Sequence, residues 1–419
     1  MSSKTALDNG LRLVTEKVEH VKSVSVGIWV NIGSRDEAPA EGGISHLIEH
    51  MIFKGTARRS ALQIAKEIDQ IGGMSNAFTS KEFTCFHAKV MSDHLPLVTD
   101  LLTDIFLESL FAEEDLEKER QVVLQEIRMV EDTPDELVHV LFSQNLWPGD
   151  PVGRPVMGTD ETVSAISRTD VKTYLDRTYQ PPKIVIAAAG EVEHQAFVDL
   201  TAPAFSALVL DHLPHQDGLL RTSTGIRVTQ KNLEQEHLCL GTRFPGILDR
   251  KRFAAALLNV ILGGNMSSRL YQEIREKRGL AYSVYSFFSA YRDTGMLGIY
   301  AGVEPKQTVD TVKIILAELA RLRQGDLEAP ELKAAQEHLK GSIILGSESV
   351  DNRMTRLAKN EITFQRHIDF DEILANVQAV TVDEVIDLVR ECLAPEDLAL
   401  TLLGPVGEGE IPAGLLAAG

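Results

Sequence analysis

Val24, Val26, Ile28, Val30 and Ile32 recur at every second position through residues 22–34 and point one way. That period of two predicts a half-buried β-strand. Residues 42–53 are apolar on nearly every side, the pattern of a buried helix. Ser60 then caps a helix that carries Leu62, Ala65, Ile68 and Ile71 and is stopped by Gly72-Gly73. Two short runs, 74–80 and 83–90, predict a β-hairpin, and residues 93–108 and 113–131 predict long amphipathic helices. A strand over 183–189, ending at Gly190, closes the first half.

Residues 206–224 are polar and poorly periodic, and after them the pattern starts again. "NGLRLVTE" from Asn9 has an echo in "TGIRVTQ" from Thr224, and "AKVMSDHLPLVTDLLTDIF" from Ala88 in "AGVEPKQTVDTVKIILAEL" from Ala301. Both echoes fall about half a chain length downstream, which favours an internal duplication. The expected fold is α+β: two similar α/β sandwich domains, each a mostly antiparallel sheet packed with helices. The expected division is a first domain over 1–210, a linker over 211–224 and a second domain over 225–419.

Composition narrows the partners. Of 419 residues, 42 are Lys or Arg and 61 are Asp or Glu, a formal net charge of −19. Binding to a nucleic-acid backbone needs a basic footprint, so that class is set aside, whereas basic peptides or cations suit an acidic surface. The three cysteines, Cys85, Cys239 and Cys392, are odd in number and widely spaced, which predicts reduced and mostly buried thiols. The first residues lack the layout of a secretory or transit signal, and no apolar run reaches the roughly 18 residues of a membrane span. The expectation is a cytoplasmic protein with no membrane or nucleic-acid partner.

His46-Leu47-Ile48-Glu49-His50 lies inside the apolar helix. Positions i and i+4 share a helix face, so both imidazoles can reach one metal ion. Glu49 sits on a neighbouring face, within reach of a water on that ion, and the order HxxEH inverts the HExxH zinc-protease motif. The plain alternative is a buried helix with two satisfied histidines. A catalytic zinc also needs a third protein ligand and an open position. In the 113–131 helix, Leu116, Glu119, Val123, Glu126 and Val130 form a 3-4-3-4 seam in which two positions are carboxylates. Carboxylates facing a core need a cation or a donor. Arg120 or Arg128 could supply a structural salt bridge; a metal ion held by both helices explains more.

These segments resemble the pitrilysin/insulinase metallopeptidase family, closest to the small-subunit branch that includes mitochondrial processing peptidase. The segments are "GGISHLIEHMIFKGT" at 42–56, "SNAFTSKEFTCFHAKV" at 75–90, "ERQVVLQEI" at 119–127 and "GGNMSSRLYQEIREKRGLAYSVYSF" at 263–287. The resemblance implies one zinc ion per chain on His46, His50 and Glu126, with Glu49 as general base and Glu119 as an auxiliary carboxylate. It implies that the edge strand holding Asn76 and Ala77 pairs with an extended peptide, and that Phe53 lines the pocket for the side chain after the cut. Arg275 and Tyr282 match a pair thought to hold substrate carbonyls and the oxyanion. The plain alternatives are a turn asparagine, a core phenylalanine and a solvated arginine.

Large members of the family enclose a chamber with four such domains. Two domains here imply a homodimer in which Arg275 and Tyr282 act in trans on peptides or unfolded proteins. Glu136 matches an acid that binds substrate arginine in the processing enzymes, but the acid expected one turn later is Val140. A long glycine-rich loop of the noncatalytic processing subunit is missing at Asn265. The other function class is a noncatalytic peptide-binding or assembly subunit. The HxxH at His212 and His215 contains a proline and reads as loop. Gly263-Gly264 lacks a phosphate-loop context, and His87 reads as an ordinary strand residue.

Overall fold

A computed structural model gives the chain's structure over residues 2–210 and 221–418. Most of the expected linker, with His212 and His215, lies outside the described residues. In the first half the strands are β1 (Ser2–Ala6), β2 (Arg12–Lys17), β3 (Ser23–Val30), β4 (Met74–Thr79), β5 (Thr84–Met91) and β6 (Ile184–Gly190). They form one sheet in the order β1-β2-β6-β3-β5-β4, antiparallel throughout except for β2 beside β6. A second sheet is built from β7 (Gly225–Gln230), β8 (Glu236–Phe244), β9 (Ala281–Ala290), β10 (Gly295–Val303) and β11 (Ala399–Gly404). Its order, β7-β11-β8-β10-β9, repeats β2-β6-β3-β5-β4, including the single parallel pair. The echoed segments at Asn9 and Thr224 thus lead into equivalent strands, β2 and β7.

Each sheet anchors one compact unit, and neither unit is a continuous stretch of chain. The first takes residues up to Arg128, the stretch from Arg154 and the segment Gly346–Ile368; the second takes Met129–Gly153 and most of the later chain. The expected division is modified by this exchange. The helix Val350–Phe364 packs on β6, β3 and β2, and the helix Pro134–Leu146 packs on β11 and β8.

The exchange corrects one expectation. Strand β3 is buried on both faces, not half-buried. Val24, Val26 and Ile28 face a core shared with Leu47, Ile48, Val98 and Leu102. The opposite face carries Trp29, which packs with Met354, Leu357 and Ala358 of the exchanged helix. A Cβ at Gly27 would stand 2.7 Å from Met354 Sδ and 2.8 Å from Trp29 Nε1, so the glycine leaves room for both side chains. Alternation alone reads Ser25 and Gly27 as solvent positions; tertiary cover overrides it.

Helix expectations hold elsewhere with small shifts. Ser60 accepts the Gln63 amide and caps Ala61–Gln70, and Glu113–Glu131 is one long helix. One stretch differs in winding: Tyr271–Glu276 is π-helical, with the Lys277 amide reaching back to Gln272 O. All three cysteines are free, and burial pushes the Cys85 and Cys239 thiols well up. Among the described residues no helix is long and apolar enough to cross a membrane.

Candidate metal centre

The HxxEH segment forms the short helix Ile44–Met51, whose Ile44, Leu47, Ile48 and Met51 are buried. An eight-residue helix is marginal alone, so its start must be held from outside. Glu37 does this: its carboxylate accepts the amides of Gly43 at 2.9 Å and Ser45 at 3.0 Å. Gly43 has φ +90°, and a Cβ there would meet Met157 O at 2.4 Å. Ser45 Oγ and the Tyr174 hydroxyl lie 2.9 Å apart. Burial pushes the Glu37 carboxyl up to about 7 against the pull of those amides and of Arg154. Nearby, Lys81 donates to Arg154 O, and burial brings its ammonium down to about 8. Sequence reasoning missed Glu37, because nothing in its spacing distinguishes it from a solvated acid.

His46 and His50 stand on one face of the helix, ring centroids 4.7 Å apart. Glu126 Oε2 lies 3.7 Å from His46 Nε2 and 3.4 Å from His50 Nε2. All three ligand atoms fall within 4.8 Å of one another, the one such cluster among the described residues. Two ligand atoms about 2.0–2.1 Å from a tetrahedral ion stand roughly 3.3 Å apart, so the spacing fits a shared zinc. Burial and His50 depress His46 to about 4, which leaves a neutral ring able to act as a ligand. The Glu126 side chain keeps 33% of its exposure, so the cluster has an open side.

The salt-bridge alternative for the acidic seam holds for Glu119 through Lys54, and not through the two arginines. Arg120 pairs with Glu117 and donates to Val163 O and Ile166 O, while Arg128 lies nearest Asp160. Neither has a hydrogen bond or ion pair with Glu119 or Glu126. Instead Glu119 Oε2 sits 3.2 Å from His50 Nδ1, and its Oε1 lies 2.6 Å from Lys54 Nζ. Glu49 is adjacent, with Oε2 buried and unbonded. Burial raises its carboxyl above the usual range, opposed by Thr79 and His50 and helped by Glu126.

Asn76 is exposed on β4, the outermost strand of the first sheet, which packs beside the HxxEH helix. Its Oδ1 accepts the Ala77 amide at 2.9 Å, and Ala77 is buried. Phe53 lies just past the helix end and packs, half-buried, against the first core. In the second unit Arg275 lies over the rings of Tyr271 and Tyr282, at 4.9 and 4.6 Å, and Tyr282 is 80% exposed. Glu136 is exposed on the helix Pro134–Leu146. Gly263 packs against β9, where a Cβ would meet the Ser286 amide at 2.3 Å, so the glycine pair serves close packing. His87 lies on β5 beside Phe78, away from the cluster.

Comparison with known proteins places the chain in a family. Residues 12–160 match the model of the insulinase family (peptidase family M16), and residues 165–339 match that of the peptidase M16 inactive domain. The chain is 40% identical to an "uncharacterized zinc protease" of Streptomyces coelicolor over 96% of this chain and 89% of the relative. It is also 40% identical to "uncharacterized zinc protease YmxG" of Bacillus subtilis, over 97% and 99%. A crystal structure of a protease from Helicobacter pylori superposes with a TM-score of 0.90 at 23% identity, covering 97% of this chain and 99% of that one. A peptidase M16 inactive domain from Pseudomonas fluorescens gives 0.88 at 20% identity, over 97% and 98%. At those identities the structures speak for the two-domain fold alone. From its sequence relatives, the chain belongs to the insulinase family, peptidase family M16.

Proposed function

We propose that this chain is a zinc-dependent endopeptidase that cuts extended or unfolded peptides. The observation that carries the reading is the convergence of His46, His50 and Glu126, with Glu49 beside them and its Oε2 unbonded. Relatives named zinc proteases support it. A zinc ion held by His46, His50 and Glu126 would supply Lewis-acid chemistry toward a peptide carbonyl and a water molecule. Glu49 would hold a proton on Oε2 and deliver it to the leaving amine, as a general acid–base group. Glu119 holds the His50 ring through Nδ1.

Strand β4 has no strand on its outer side among the described residues, so its backbone groups are available to an extended peptide. Asn76 then reaches the substrate backbone, and Phe53 borders the side chain after the cut. Arg275, stacked on Tyr282, offers donors to substrate carbonyls, and in a homodimer the pair serves the partner's zinc site.

Hydrolysis of a quenched fluorescent peptide, with metal analysis, tests the reading against Glu49→Gln. Wild type should carry about one zinc per chain and cleave; Glu49→Gln should keep the metal and lose turnover. Zinc in both chains with cleavage by neither, across a broad peptide panel, would replace the peptidase with a peptide-binding subunit.

A further inference from the structure

We propose that Lys54 is a positioning residue of the metal centre, acting through Glu119 to fix the ring of His50. The inference rests on the zinc-peptidase reading above. The three groups form a line: Lys54 Nζ is 2.6 Å from Glu119 Oε1, Glu119 Oε2 is 3.2 Å from His50 Nδ1, and His50 Nε2 is 3.4 Å from Glu126.

Each end of that line leaves the next group little choice. An ammonium only donates, so it occupies Oε1 and keeps Glu119 an acceptor. Oε2 is then satisfied by a proton on His50 Nδ1, which puts the ring's lone pair on Nε2, facing the candidate metal position. Glu119 cannot rotate without breaking one of the two contacts, and its residue is only 8% exposed. Without the lysine, the buried Glu119 carboxylate would be held by His50 alone, with Oε1 left to turn. His46 Nδ1 has no protein partner, so the two rings are held differently and loss of Lys54 falls on His50 alone.

Lys54 is also delivered by a fixed backbone. It lies just beyond the metal helix, with its amide on Met51 O at 3.0 Å. Gly55 bridges to Ser60 and Thr56 to Ser109. Arg59 ties the same loop to Asp104, Asp100 and Glu67. An ordinary surface ion pair on a mobile lysine contributes almost nothing and leaves a neighbouring site unchanged. That is the competing account.

Zinc affinity, measured by competition with a chromophoric chelator, separates the two. Lys54→Met and Glu119→Gln should each weaken zinc by about 10- to 100-fold, the usual cost of losing an outer partner of a ligand. The double variant should bind within about twofold of Glu119→Gln alone, because the lysine acts through that carboxylate. Lys54→Arg should recover most of the affinity, and the visible spectrum of the cobalt-loaded protein should shift in Lys54→Met and return in Lys54→Arg. If Lys54→Met does not fold, Lys54→Gln takes its place. Zinc binding unchanged in Lys54→Met, or losses that multiply in the double variant, would overturn the assignment while leaving the peptidase reading intact. A wild-type chain that binds no zinc overturns both.

Discussion

Trp29 donates its indole N–H to Met354 Sδ across 3.1 Å, joining residues 325 positions apart. The contact lies on the face of the first sheet that the exchanged helix covers, with Trp29 fully buried and Met354 1% exposed. Met354→Ala should open a cavity against a large ring and leave a buried donor unpaired. The expected loss is about 2–5 kcal/mol of unfolding free energy. Urea titration would read it, and a change below about 1 kcal/mol would mean the helix contributes little to the first unit.

Glu37 predicts a pH dependence. Its folded carboxyl titrates near 7, against an ordinary value of 4.5. Between those values the native state binds more protons than the unfolded chain, so this group's stabilisation falls as pH rises, and it is flat above about 7. The difference is roughly 3 kcal/mol. The stability advantage of wild type over Glu37→Gln should therefore be larger at pH 5 than at pH 7.5, by urea titration at both. Lys81, brought down to about 8, titrates above this window. An advantage independent of pH would show that the Gly43 and Ser45 amides keep Glu37 ionised.

Glu49 and Glu126 should separate chemistry from metal binding. Glu49→Gln should lower kcat by about 10²- to 10⁴-fold, the range for loss of a general acid–base group. Its zinc content should not change, since Glu49 is outside the ligand cluster. Glu126→Ala removes a ligand and should lose both metal and activity. Atomic absorption on the two purified variants distinguishes them.

Subunit mixing tests where Arg275 acts. In an equimolar, exchanged mixture of Arg275→Ala and Glu49→Gln chains, a trans arrangement rebuilds one intact site in each mixed dimer. Random pairing then gives roughly a quarter of wild-type activity. Activity no higher than that of the two parents would assign Arg275 to its own chain's site or to none.

The candidate ligand cluster was legible in the sequence because both of its halves follow helical periods. His46 and His50 are one turn apart, and Glu119 and Glu126 sit where a seam calls for apolar residues. The strand order was legible only as a repeat, through segments such as those at Asn9 and Thr224. What escaped depends on contacts between segments distant in sequence. Nothing in the pattern of Val350–Phe364 says which sheet it covers, so the second face of β3 read as solvent. Glu37 looks like any surface acid until the loop folds it under the metal helix. The π-winding at Tyr271–Glu276 leaves the apolar spacing almost unchanged, so it has no signature of its own.

The traded helices make the two repeats inseparable pieces of one object. A gene cut within 211–220 would encode two fragments, each lacking the cover of its own sheet and carrying the cover of the other. Either fragment made alone should be insoluble, its bare strand face open to self-association. The two made together in one cell should find each other and copurify. Neither repeat can be deleted without unroofing the one that remains.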